Sequence, residues 1–254
     1  MYDRDYGRLG RIGIVTPQAN PTAEPELQLL LPAGVSMLTS RCTSRGEPRQ
    51  RFIEYIEGLG KTLERFDTLK LDAVGFACTA STYLVGREKE KRHCQELEAK
   101  FGYPIVTAAA ALEAALLSLG AKRIALACPY PQWLFEIAVD YWQQRGFQVI
   151  AATSIQAQMT DTRAIYEVRA KQALDRILRD IGMTDADVFM ITGTGMPGLQ
   201  AIVDLQESTG RPAINSNLCL AWACLTTTGI PLNERSPQPE FPLLGGWKNE
   251  LYKL

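Results

Sequence analysis

Cys78 is the residue of this chain whose position best suits chemistry. It follows the apolar segment 73–77 and precedes the hydroxyl-rich segment 79–82. That order predicts a buried strand that opens into a turn and a helix start. Backbone N–H groups at a helix start stabilise an anion, so we expect a lowered pKa for this thiol. The same N–H groups could hold a substrate carboxylate. The alternative interpretation is a buried structural cysteine.

The single histidine limits the chemistry that the chain can perform. His93 lies in the segment Glu-Lys-Glu-Lys-Arg-His-Cys, which is typical of a solvated helix face. A Ser-His-Asp triad, a Cys-His dyad and a histidine-rich zinc site all need a histidine in the site. We therefore expect chemistry that uses Cys, Tyr, Lys or a carboxylate, helped by backbone and amide donors.

Composition predicts a soluble protein without a nucleic-acid or membrane partner. The 254 residues carry 27 Lys and Arg and 28 Asp and Glu, a formal net charge of −1, so no basic excess favours nucleic acid or an anionic membrane. The apolar stretches are too short for a membrane span, and the N-terminus shows no signal segment. We expect a cytoplasmic location, where the six cysteines, none spaced as CxxC, remain reduced.

Three segments of the first half recur in the second half at a nearly constant distance. The pairs are 11–17 with 123–129, 72–79 with 187–194, and 103–107 with 211–215. Offsets of 108 to 115 residues indicate two copies of one α/β unit. Two such copies that face each other form a cleft on a pseudo-two-fold axis. At the best-placed pair of turns, one copy carries Cys78 and the other carries Gly193.

Short apolar runs alternate with long amphipathic stretches along the chain. The predicted strands are 11–16, 35–41, 72–78, 104–107, 122–128, 147–154, 187–192 and 212–215. The predicted helices are 48–67, 87–101, 108–119, 132–145, 163–181, 197–208 and 217–228. This alternation predicts an α/β fold of two parallel-sheet halves, with ligands at the carboxyl ends of the strands in the cleft. We assign 1–107 plus 217–234 to the first half, 108–216 to the second half and 235–254 to a C-terminal tail.

The turn after the seventh predicted strand is rich in glycine. Gly193-Thr194-Gly195 begins a formal GxGxxG pattern that ends at Gly198. A dinucleotide site is one interpretation. A tight turn of backbone donors for a small anion is favoured instead, because Pro197 interrupts the pattern and no acidic residue ends the following strand.

Two further polar residues lie in the turns that follow the first strand of each copy. Asn20 could cap the next helix, or it could point its amide at a ligand carboxylate. Tyr130 stands between two prolines, where it could simply pack or could direct its hydroxyl into the cleft. Glu24 and Glu26, near the start of the helix after Asn20, are expected to be surface charges that complement the helix dipole.

These segments resemble the aspartate/glutamate racemase superfamily, and within it the branch of maleate cis-trans isomerase and arylmalonate decarboxylase. The segment 15–26 is similar to the isomerase stretch Pro-Ser-Ser-Asn-Thr-Thr-x-Glu-x-Glu. Cys78-Thr79 matches the first catalytic cysteine position of the family. Tyr130 matches a tyrosine that donates to a substrate carboxylate. Thr162 falls where the isomerases tend to carry an asparagine.

The resemblance implies catalysis without cofactor or metal, commonly by a homo-oligomer. Racemases and maleate isomerases place one cysteine on each side of the substrate, whereas arylmalonate decarboxylase keeps only the second-half cysteine and has a glycine in the first half. This chain differs from both, because it keeps Cys78 and has Gly193 or Thr194 in the second-half position. That argues against two-base racemisation, which needs an acid and a base on opposite faces.

Three hypotheses about a small carboxylic acid follow from the resemblance. In a maleate-isomerase-like enzyme, Cys78 would add as a thiolate to the double bond of an unsaturated dicarboxylate, and the adduct would rotate and expel it. In an arylmalonate-type decarboxylase, Cys78 would protonate an enediolate. The third hypothesis is a carboxylate-binding protein without turnover. The expected binding residues are Asn20, Thr79, Ala80, Tyr130, Gly193, Thr194 and Gly195.

Overall fold

The computed structural model describes residues 3–230, so the predicted tail and the end of segment 217–234 lie outside the described residues. The first sheet contains β1 (Gly10–Pro17), β2 (Val35–Cys42), β3 (Ala73–Phe76) and β4 (Ile105–Thr107). The second contains β5 (Arg123–Cys128), β6 (Gln148–Ser154), β7 (Val188–Ile191) and β8 (Ala213–Asn215). Both sheets are parallel, in the orders β2-β1-β3-β4 and β6-β5-β7-β8. The predicted α/β fold of two equivalent halves is therefore confirmed.

Helices flank both sheets. They are α1 (Ala23–Leu30), α2 (Pro48–Glu57), α3 (Leu59–Leu63), α4 (Thr79–Val85), α5 (Arg87–Phe101), α6 (Ala108–Ser118), α7 (Gln132–Gln144), α8 (Ala170–Ile181), α9 (Leu199–Thr209) and α10 (Ser216–Thr228), with short 3-10 turns at Glu64–Phe66 and Thr162–Glu167. The predicted helix 48–67 is broken at Gly58, whose N–H closes α2 on the Glu54 carbonyl. Within residues 3–230, no helix combines the length and the apolar character that a membrane crossing needs.

The register of the sheets makes two site positions equivalent. The central strands β3 and β7 are buried along their whole length, as expected for parallel strands covered on both faces. The β1–β3 ladder ends at Phe76 and the β5–β7 ladder ends at Ile191. Cys78 and Gly193 each follow two residues later, so they occupy corresponding places in the two halves.

Helix α10 packs on the first sheet although it follows the last strand of the second. Gly75 of β3 provides the space, because a Cβ at this residue would lie 3.2 Å from Leu220 Cδ1 and 3.2 Å from Cys224 Sγ. This contact agrees with the assignment of the segment after 216 to the first half. The domain bounds themselves remain a prediction.

A buried carboxylate joins the two halves behind the cleft. Glu26 of α1 accepts hydrogen bonds from the N–H groups of Gly198 (2.6 Å) and Leu199 (3.1 Å) and from Asn217 Nδ2 (2.8 Å) and Asn215 Nδ2 (3.4 Å). Burial raises the pKa of this carboxyl, while the four donors pull it down. The prediction of a surface charge at Glu26 is wrong, since only 7% of the residue is exposed.

We expect Glu26→Ala to destabilise the fold strongly. It leaves several buried donors of the second half without an acceptor, and each such group costs about 1–3 kcal/mol. The free energy of unfolding, from urea titration, should fall by about 3 kcal/mol or more. Glu24→Ala is the matched control on the same helix. Glu24 forms a half-exposed ion pair with Arg41, so its loss should cost less than about 1 kcal/mol. Equal losses for the two variants would contradict this role of Glu26.

Candidate active site

One pocket lies where the carboxyl ends of the two sheets face each other. The residues that line it come from both halves and include all eight that the sequence singled out: Asn20, Cys78, Thr79, Ala80, Tyr130, Gly193, Thr194 and Gly195. The cavity measures about 30 Å³, so the free space around Cys78 is narrow in this conformation, which we call closed. A substrate of several heavy atoms needs lining side chains to move apart.

Cys78 sits at the junction between β3 and α4. Its residue is 4% exposed, and its Sγ accepts a hydrogen bond from Ser81 Oγ at 3.2 Å. Burial raises the pKa of the thiol; the Ser81 hydroxyl, the N–H groups of Ser81 and Ala80 and the charge of Arg51 act in the opposite direction. The expected lowering of this pKa is wrong, because the loss of water outweighs the helix-start donors. In the closed pocket Cys78 is held as a thiol.

Gly193 has no room for a side chain. Its φ of +95° lies in the left-handed region, and a Cβ there would lie 2.7 Å from Pro129 Cγ and 3.5 Å from the Tyr130 hydroxyl. A cysteine at this place would need both a strained backbone and a shift of Pro129. Among the described residues that line the pocket, Cys78 supplies the only sulfur, and it lies in the first half.

Asn20 has the capping role that the sequence left open, whereas its contact with a ligand carboxylate remains a prediction. Its Oδ1 accepts from the N–H groups of Thr22 (2.9 Å) and Ala23 (3.1 Å), which caps α1. Its Nδ2 donates to Thr194 Oγ1 at 3.2 Å, and that hydroxyl donates to the Ala77 carbonyl at 2.7 Å. Since the two N–H donors fix the amide oxygen, the amide NH₂ is oriented towards the second half and the pocket.

The hydroxyls of Tyr130 and Thr79 form a pair across the cleft. The Tyr130 hydroxyl donates to Thr79 Oγ1 at 3.2 Å, and both residues are buried. Burial raises the pKa of Tyr130 well above its usual range, so its proton remains available for donation to an anion. The ring of Tyr166 packs closely against the backbone of Gly195. A side chain at this position would prevent that contact, because its Cβ would lie 2.6 Å from the ring.

The dinucleotide interpretation of the Gly193 turn does not fit the geometry. In a dinucleotide site, the pyrophosphate sits at the N-terminus of the helix that follows the turn. Here the first N–H groups of α9 and its flank, at Gly198 and Leu199, already bind the carboxylate of Glu26.

Sequence reasoning missed four polar groups of the pocket. Arg51 and Tyr55 lie on α2, and Arg163 and Tyr166 lie in the 3-10 turn after β6. Arg51 and Tyr55 are four residues apart and both buried, so they share one helix face. The available sequence signal for these two residues was an arginine on the same helix face as a tyrosine. The sequence of α2 does not by itself show that this face contacts the second half.

The reactivity of Cys78 should report its raised pKa. In the ligand-free protein, alkylation of Cys78 by iodoacetamide should keep increasing with pH beyond the usual thiol range of about 8.5, because only the thiolate reacts. Mass spectrometry of the tryptic fragment 71–87 measures the rate, and the isolated fragment provides the reference. A rate in the folded protein that levels off at lower pH than in the fragment would contradict the raised pKa.

Comparisons with known proteins agree with this geometry. A sequence model of the arylmalonate decarboxylase family matches residues 12–238. The maleate isomerase of Pseudomonas putida KT2440 is 28% identical over 232 residues, which cover 86% of this chain and 91% of the relative.

Two solved structures share the fold. A mutant of Nocardia farcinica maleate cis-trans isomerase, with one cysteine replaced by serine and a covalently bound succinylcysteine intermediate, superimposes with a TM-score of 0.77 at 20% identity, covering 87% of this chain and 94% of that one. A liganded arylmalonate decarboxylase mutant has one glycine replaced by cysteine and one cysteine replaced by serine. It superimposes with a TM-score of 0.81 at 19% identity, covering 93% of this chain and 99% of that one. The predicted branch is confirmed: the chain belongs to the arylmalonate decarboxylase family, together with the maleate isomerases, and is an enzyme of isomerase or lyase type.

Proposed function

We propose that this protein is a cis-trans isomerase of a small unsaturated dicarboxylate such as maleate, with Cys78 as the nucleophile. The observation that carries the proposal is the position of Cys78 in a closed pocket whose donors come from both halves. The maleate isomerase of Pseudomonas putida, 28% identical, supports the reaction type. The Nocardia farcinica mutant supports only the formation of the S–C bond, since it holds a succinylcysteine. That adduct has also gained a proton on carbon, a step that the mechanism proposed for this chain does not use.

The first step is the removal of the thiol proton. The described residues that line the pocket include no aspartate, glutamate, histidine or lysine, so the substrate carboxylate beside Cys78 is the base. The proton moves from Sγ to a carboxylate oxygen, and the sulfur lone pair forms a bond to one alkene carbon. The π electron pair moves to the other alkene carbon and its carboxylate, which becomes an enediolate.

The second step is rotation and release. The former double bond is now single, so the adduct can turn about it. The enediolate electron pair then reforms the double bond in the trans geometry, the S–C bond breaks, and the thiolate recovers its proton. Asn20 Nδ2, the Tyr130 and Thr79 hydroxyls and the backbone N–H groups of Ala80, Thr194 and Gly195 stabilise the developing charge.

A substituted-malonate decarboxylase is the second candidate. It is favoured by the pairing of Cys78 with Gly193, since the arylmalonate decarboxylase mutant in the comparison has also gained a cysteine at a glycine and lost another cysteine. In that reaction Cys78 donates its proton to the enediolate left by carbon dioxide, which suits a thiol of raised pKa.

We also propose that the protein works in the cytoplasm, as a homo-oligomer and without a cofactor. All six cysteines lie in the described residues and are free, which suits a reducing compartment.

A proton NMR time course with maleate tests the proposed function. We expect fumarate to form, and Cys78→Ala to lower the rate by at least about a thousandfold, the scale of losing a catalytic nucleophile. Cys94→Ala is the matched control, because Cys94 is buried in α5 away from the pocket, and it should retain the activity.

The same experiment with phenylmalonate and methylmalonate separates the alternatives. Carbon dioxide release that depends on Cys78, with maleate unchanged, would replace the isomerase by the decarboxylase. If neither substrate changes although Cys78→Ala binds dicarboxylates, the chain is a carboxylate-binding protein and the isomerase proposal fails.

A further inference from the structure

Arg51 places a positive charge inside the pocket that holds Cys78. The residue is 6% exposed and lies on α2, with its guanidinium carbon 5.9 Å from the ring centre of Phe52. A guanidinium carries five N–H donors in a planar fork. Within residues 3–230, its only hydrogen bond runs from Nη2 to Thr162 Oγ1 at 2.7 Å.

The nearest carboxylate does not serve as a full counterion for Arg51. Asp161 Oδ1 lies 3.7 Å from Arg51 Nη2, and the Asp161 side chain is 46% exposed. This carboxylate is already held by Arg163, through Nη2 to Oδ2 at 2.7 Å and Nε to Oδ1 at 3.0 Å, which lowers the pKa of Asp161 to about 2. A buried charge without a close partner is costly, so Arg51 suits an anion that is present only in the complex.

The charge of Arg51 sets it apart from the other donors of the pocket. The Tyr130 hydroxyl and the Asn20 amide are neutral, as are the hydroxyls of Thr162 and Tyr55. Arg163 also lines the pocket, but its guanidinium is already bound to Asp161. An aryl group would have to be buried against this cation without neutralising it, whereas a carboxylate could accept two parallel N–H bonds from the fork.

We propose that Arg51 binds the second carboxylate of the substrate and makes the enzyme selective for dianions over analogues with a neutral group at one end. This inference rests on the proposed function, since it assigns the far end of the substrate that Cys78 attacks. The Thr162 hydroxyl orients the guanidinium from the 3-10 turn Thr162–Glu167. Binding of the dianion thus ties α2 and this turn together over the pocket.

The test compares maleate with maleamate, in which one carboxylate is a neutral amide. The wild-type pocket would bind both carboxylates of maleate, whereas the neutral amide of maleamate would leave one of the two carboxylate sites unfilled. In Arg51→Gln the preference for maleate, as the ratio of the two kcat/KM values, should fall at least about thirtyfold, the lower range for removing one partner of a buried charge pair. The loss should appear mainly in the KM for maleate.

Two further variants control for general damage. Arg51→Lys keeps the charge without the fork and should retain part of the preference; it also serves if Arg51→Gln does not fold. Arg49→Gln removes an exposed charge from the same helix, and its preference should match that of the wild type. If Arg51→Gln, or Arg51→Lys in its place, lowers both kcat/KM values by the same factor or changes neither, Arg51 is structural and the proposal is wrong.

A binding experiment keeps this inference separate from the proposed reaction. Calorimetry with Cys78→Ala measures succinate against succinamate without turnover. If maleate is not isomerised, yet Arg51→Gln in the Cys78→Ala background removes the preference for succinate, the role of Arg51 stands and the isomerase reaction fails. If maleate is isomerised but the preference survives in Arg51→Gln, the reaction stands and the role of Arg51 fails.

Discussion

The hydrogen bond from the Thr194 hydroxyl to the Ala77 carbonyl links the two halves of this enzyme at the pocket. It joins the turn after β7 directly to the residue before Cys78. Asn20 donates to the same hydroxyl, and Thr22 Oγ1 donates to the Gly195 carbonyl at 2.8 Å. Each of these bonds links a turn of one copy to a turn of the other. The cleft is therefore a consequence of pairing two similar α/β units, and its inner groups are already oriented before any ligand enters.

The closed pocket determines the electrostatics of the site. Removal from water raises the pKa of Cys78 and of Tyr130 alike, so both carry their protons in the empty protein. The same loss of water strengthens every donor that faces an anion. A dicarboxylate would bring both the negative charge that balances Arg51 and the base that deprotonates Cys78. Substrate binding and thiol activation then become one event, which suits a site whose lining, among the described residues, includes no histidine or carboxylate.

The sequence was sufficient for the fold and for the turns that bear the site, because strand-to-helix order and the internal repeat are local patterns. Cys78, Asn20 and Tyr130 follow strands, and the carboxyl ends of parallel strands meet in one cleft. The predictions of a lowered Cys78 pKa and of an exposed Glu26 were wrong, because both properties depend on the residues that the second half packs against the first. Arg51 was missed for the same reason, since its neighbour Thr162 is 111 residues away.

The central claim is that one sulfur, acting from one side, isomerises the substrate through an enediolate that is never protonated on carbon. Conversion of maleate by the wild-type protein in deuterium oxide tests it most directly, with proton NMR and mass spectrometry of the fumarate. We predict fumarate that keeps both vinylic protons and contains no carbon-bound deuterium. Deuterium on carbon in the fumarate would contradict the account, because it would require an acid that adds a proton to the adduct and a base that removes one.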